Sequence, residues 1–262
     1  MKKIIVLFFA LSMIAVPTYA YKAIAHQTIA ALAQKHLTDK AQSEVKAILK
    51  ADMAKNAMWL YSLRKNESLA YTQQWQFSTL NAEGKSVTTD PNDGVVALEN
   101  AIAVLRDRAN QSDSLVKASL LTAIQIVGDL HTISNIYIDG NEATKGFDFT
   151  VWNNLKGKGE KHDKSKWRSL WHNYTNRHDV FSAEYYAADI EIFLGHKKAE
   201  YEGGTPRQWV ENVGGDVVRC LEVVYPDADV NIEIINRWED IHNKCMAKAG
   251  YRLAALLNDI FK

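Results

Sequence analysis

The stretch IQIVGDLHTISN (residues 124–135) holds one carboxylate, Asp129, with an amide four residues before it, Gln125, and another six residues after it, Asn135. A carboxylate on an apolar helix is costly to bury unpaired, so Asp129 calls for a partner or a metal ion and is the best catalytic candidate. His131 is two residues further on. On a helix it points about 200° away from Asp129, so the two cannot share one ion unless the helix breaks between them. His26 is the second candidate ligand. If the chain is cleaved after Ala20, Tyr21 becomes a free amino terminus whose α-amine, with a pKa of about 8, lies one or two helical turns from that imidazole. Amine, imidazole and a buried carboxylate together make a zinc site with one position open to water, whereas a histidine alone on an early helix reads as structural. His162, His172 and His178 are scattered. Neither HExxH nor HxxxH is present, nor are GxSxG, a Walker A loop or GxGxxG, which disfavours serine hydrolases and nucleotide-loop enzymes. The 7 tryptophans and 11 tyrosines offer stacking surfaces, but at helical spacing they read as core before they read as base platforms.

The elements that must position these groups are helical. KAIAHQTIAALAQKHL (22–37) has apolar residues at three- and four-residue intervals, and TDKAQSEVKAIL follows with a threonine cap and an acid in its first turn. After the turn-rich DPNDG runs VVALENAIAVLRDRA, and from near Ser114 SLVKASLLTAIQIVGDLH has almost no polar face until Gln125, the pattern of a buried central helix. Residues 137–166 change character, with Gly, Asn and Lys around the alternating FDFTVW, and read as a small hairpin or irregular excursion whose aromatics need burial. Helical patterns return in KWRSLWHNYTNR, SAEYYAADIEIFLGH, RQWVENVGGDVVRCLEVVY and the last thirty residues. The fold class expected is mostly α, one multi-helix domain.

Lys2 and Lys3, the apolar run after them and PTYA read as a signal peptide over residues 1–20, leaving 21–262 as the mature domain. No later segment approaches about 18 uninterrupted apolar residues, so no membrane span is expected after cleavage, and the protein is expected to be exported, periplasmic or secreted. The leader contains two lysines and no acid, so the balanced charge of the full chain, 31 basic against 31 acidic residues, becomes slightly negative. No global basic footprint marks a nucleic-acid binder. Cys220 and Cys245 stand without CxxC partners. In an oxidising compartment they are either a disulfide between two helices or two buried thiols.

Several segments, in order along the mature chain, resemble the S1/P1 nuclease family, relatives of zinc-dependent phospholipase C. They are YKAIAHQTIAALAQKHL, AMWLYSLR, VVALENAIAVL, VGDLH, QWVEN and AGYRLAALLN. The resemblance implies a secreted, mostly α fold that cleaves single-stranded nucleic acids and 3′-nucleotides with three zinc ions. It places one zinc set on Tyr21, His26 and Asp129. The other positions have changed: Tyr61 stands for an aspartate, Gln76, Gln125 and Asn135 for histidines. In KWRSLWHNY, Arg168 stands for a histidine and His172 for an aspartate, a register that can slip by one. Six of nine ligand positions therefore differ, and neutral amides are poor substitutes for imidazoles on zinc.

A three-zinc cluster is not expected; at most one zinc is. Arg168, planar and permanently charged, can clamp a phosphate in place of a metal or can pair with Asp129 and fill the vacated space. Two functions remain open. One is a catalytically weak or inactive relative with a residual phosphate, nucleotide or single-stranded nucleic-acid site, or a structural role. The other is a phosphodiesterase working with one zinc.

Overall fold

In the computed structural model, residues 17–63, 66–153, 161–173 and 182–262 are described. Helix α1 (Pro17–Lys35) and helix α11 (Ile232–Ile260) cross as the longest packed pair, and α8 (Ala183–Leu194) lies against α1 as well. The predicted leader falls mostly outside the described residues, and α1 runs unbroken through Ala20 and Tyr21. No helix among the described residues is long and apolar enough to cross a membrane.

The helix starts follow local capping chemistry. Thr38 caps α2 (Asp39–Leu49) by accepting from Ala41 N, Asp93 caps α5 (Gly94–Arg106) through Val95 N, and Ser112 caps α6 (Asp113–Leu130) through Leu115 N. Each cap satisfies an amide that has no partner inside its helix. Short helices α3 (Met53–Asn56) and α4 (Trp59–Ser62) and a 3-10 segment (Glu67–Gln76) lead into strand β1 (Ser78–Leu80). Helix α10 (Pro206–Leu221) begins with a reciprocal capping box between Thr205 and Gln208 and with proline in its first turn, where proline's missing amide costs nothing.

Helix α6 is buried without interruption from Ser119 to Leu130, as its near-absence of a polar face requires. It packs against α5 and α11 within one apolar core that extends from Ile29 to Phe261. The molecule is a single mostly helical domain.

The FDFTVW run forms a hairpin: β3 (Asp148–Asn153) pairs antiparallel with β4 (Lys161–Lys166), and β5 (Asp229–Asn231) adds to β3 in parallel. A second pairing has no counterpart in the sequence pattern. Strand β1 lies parallel to β2 (Ile136–Ile138), with Thr79 opposite Tyr137. The remaining helices are α7 (Trp167–Asn173) and α9 (Lys198–Tyr201).

Candidate functional site: a closed carboxylate centre

Helix α6 carries Asp129 one residue before its end, and α1 brings His26 to it: Nε2 stands 3.4 Å from Asp129 Oδ1, both side chains being buried. The close approach depends on Gly128. A Cβ there would lie 2.6 Å from His26 Nδ1, nearer than two unbonded heavy atoms come, so only glycine lets the ring lie flat on α6. Asp129 and His131 diverge, as their spacing requires. Helix α6 stops at Leu130, and His131 turns away to bond Val127 O through Nδ1 at 2.7 Å and Arg252 Nη1 through Nε2 at 2.8 Å.

The amides around Asp129 are engaged by protein groups. Gln125 Oε1 accepts from Leu60 N at 2.8 Å. Asn135 turns its Nδ2 toward Asp129, donating to the backbone O at 3.1 Å and to Oδ1 at 3.4 Å. Gln76 accepts from Tyr61 Oη at 3.4 Å and donates to Gln73 O at 2.8 Å. What is left between Leu60, Gln76, Gln125 and Asp129 is a cavity of about 10 Å³, space for roughly one water molecule.

Residues 22–132 match the family profile described as S1/P1 Nuclease. Over these residues the chain is similar to the S1/P1 nuclease family. No curated protein matches the chain. The likeness is thus to a nuclease family and rests on this segment alone. The matched segment contains His26, Tyr61, Gln76, Gln125 and Asp129, whereas Asn135, Arg168 and His172 lie beyond it.

The residues present do not fit the trinuclear zinc cluster that the S1/P1 resemblance implies. Among the described residues, no three His, Cys, Asp or Glu side chains converge on one point. The amide at 125 spends its oxygen on a backbone N–H, and the amide at 135 presents a donor to Asp129 where a ligand would present a lone pair. Two polar atoms at the centre are left over. His26 Nδ1 and Asp129 Oδ2 are both buried and without a hydrogen-bond partner, which is costly for a carboxylate oxygen. The third donor of that set belongs to Tyr21, whose side chain, like that of His172, lies outside the described residues, as does His178.

Arg168 does not pair with Asp129. Its guanidinium lies over the Phe77 ring, Cζ to centroid 4.4 Å, and donates through Nη2 to Tyr137 Oη at 2.9 Å. Phe77 and Tyr137 are themselves stacked, with centroids 5.2 Å apart and planes 18° apart. The β1/β2 pairing creates this arrangement, because it sets the residue preceding β1 beside the middle residue of β2. None of the ion pairs among the described residues includes Arg168; among those residues its guanidinium meets an aromatic face and a hydroxyl.

Sequence reasoning missed Phe77 and Tyr137, since nothing in two three-residue strands announces a parallel pair. It also missed Arg252, for which there was a signal: a lone arginine in the apolar run of AGYRLAALLN. Cys220 and Cys245 are buried free thiols, not the bridge that an exported protein allows. Burial pushes Cys220 well up and Cys245 up to about 12, so neither is a thiolate nucleophile near neutral pH.

Proposed function

We propose that this is an exported S1/P1-type protein whose hydrolytic metal centre has been dismantled, leaving a catalytically weak or inactive chain that recognises a phosphate or nucleotide through Arg168. The observation that carries the reading is the closure around Asp129. Positions 76, 125 and 135 carry amides bound to protein groups, and the cavity between them is about 10 Å³, far smaller than the separation of about 3.5–4 Å between the ions of a dinuclear site requires. Arg168 supports the binding half of the reading. It is half-buried, already oriented by Tyr137 and Phe77, and lacks a carboxylate partner among the described residues, so its outer N–H groups suit a phosphate.

Two measurements test the reading. Purified mature protein is expected to contain at most one zinc per chain and to leave single-stranded DNA intact. Two or three zinc ions, removed by a chelator together with a cleavage activity, would sink it. For the binding half, a nucleoside monophosphate is expected to raise the melting temperature of the wild type. Arg168→Ala should weaken that binding roughly tenfold or more, the scale of one or two hydrogen bonds to a charged group; an unchanged affinity would remove Arg168 from the site.

The unpartnered His26 Nδ1 and Asp129 Oδ2 favour a second reading, a phosphodiesterase using one zinc held by Tyr21, His26 and Asp129. The ion would supply Lewis-acid polarisation of a phosphate oxygen; the chain would supply the imidazole and carboxylate that hold it and the walls that exclude bulk water. Adding one residue before Tyr21 should then abolish the bound metal, and unchanged metal content would reject the site.

A further inference from the structure

A second cavity, of about 470 Å³, lies on the other side of Leu60 and Thr72, which line both it and the small void at Asp129. Its volume falls in the range of small-molecule sites. One wall is aromatic. Trp75 donates from Nε1 to Pro91 O at 3.1 Å and meets Tyr71 edge-to-face at 5.4 Å, so the indole is fixed before any ligand arrives, and Trp59 extends the same wall. The α5/α6 pair completes the lining with Ala97, Ala101 and Ala118, beside Val104 and Leu115. Three alanines in the lining and a fixed indole leave room in this slot for a planar group.

None of the described residues lining the slot is charged. A charged ligand would lose hydration there without compensation from these residues. Buried hydroxyls, Thr72 and Thr122 among them, can meet a single polar substituent at the deep end. Tyr71 and Leu115, which also line the slot, stand half-exposed, at 52% and 43%.

We propose that this slot is a binding site for a neutral, flat, mostly hydrocarbon small molecule, separate from the Arg168 site and indifferent to whether any metal binds at Asp129. A ring system inserted between Trp75 and the alanines gains dispersion and aromatic contact along both faces. Leu60 and Thr72 block further passage toward Asp129, so the ligand stops short of the carboxylate.

The test uses the full mature protein and the uncharged fluorophore N-phenyl-1-naphthylamine. Saturable binding at one per chain is expected, with its sulfonated analogue at least about tenfold weaker, because the sulfonate must be desolvated against a described lining that carries no charge. Ala118→Phe, which fills the slot from α6, should weaken the neutral probe by about tenfold or more while circular dichroism stays unchanged. Should that variant fail to fold, Asn100→Trp decides, since it places a ring at the mouth from an exposed position. A nucleoside monophosphate should leave the bound probe in place. Undiminished probe binding in a folded blocking variant, equal affinity for the sulfonated analogue, displacement by the nucleotide, or no saturable binding to wild type would each overturn the proposal.

Discussion

Arg252→Met is expected to cost about 2–6 kcal/mol of stability, the sum for two enclosed acceptors left without a donor. Arg252 is 5% exposed on α11 and donates to three elements: Nε to Tyr201 O at 3.0 Å, Nη1 to His131 Nε2 at 2.8 Å and Nη2 to Asn212 Oδ1 at 2.9 Å. Burial, and then the Arg252 charge, push His131 down to about 3. It is therefore the neutral imidazole, whose Nδ1–H goes to Val127 O and whose Nε2 accepts. Without the guanidinium, Asn212 can turn to water because it is exposed, but Tyr201 O and His131 Nε2 are enclosed, and each lone acceptor costs about 1–3 kcal/mol. The network fixes the end of α6 two residues after Asp129, so the loss also loosens the candidate site. Urea unfolding measures it as a lower midpoint at unchanged slope. Arg106→Met removes an exposed pair with Asp259 and should cost under about 1 kcal/mol; equal costs for the two variants would refute the network's importance.

The sequence made the helices legible because their signals are local. Thr38 caps where its side-chain oxygen meets a free amide, and the missing polar face of residues 115–130 names the buried central helix. FDFTVW declared a hairpin through its period of two. What remained hidden depends on pairs distant in sequence. Strands β1 and β2 are three residues each and 55 residues apart, too short for a period, yet their register places Phe77 beside Tyr137 and so decides what Arg168 touches. The two roles weighed for Arg168, a phosphate clamp or a salt bridge to Asp129, divided on that contact, and the ion pair is absent. At Asp129, the resemblance named His26, and the structure brings imidazole and carboxylate together. It could not name Leu60, whose backbone N–H occupies Gln125, because a main-chain donor leaves no mark on residue type.

Gly94→Ala should lower stability by about 3 kcal/mol, roughly 6–12 °C in melting temperature for a domain of this size. The added Cβ would stand 2.3 Å from Trp75 O, with Phe77 O and Leu130 Cδ2 each at 3.0 Å. The nearest obstacle is a backbone carbonyl, which cannot rotate aside as a side chain can, so α5 or the 3-10 segment must move. Neither is free to do so. Gly94 N donates to Phe77 O at 2.7 Å, and Asp93, buried beside it, accepts from Ser78 Oγ, Thr79 N and Val95 N at 2.8–2.9 Å. Desolvation raises the Asp93 pKa despite those three donors, which marks how enclosed the joint is. Phe77 sits in that joint and carries Arg168 on its face, so the displaced backbone should also weaken nucleoside monophosphate binding in the protein that stays folded. Gly215→Ala provides the contrast: its methyl would meet nothing within 4 Å on an exposed turn of α10, and it should gain up to about 1 kcal/mol from helix propensity alone. If the two alanines shift the melting temperature in the same direction, the tight joint between α5 and the Trp75 carbonyl is not there, and Phe77 is positioned by something else.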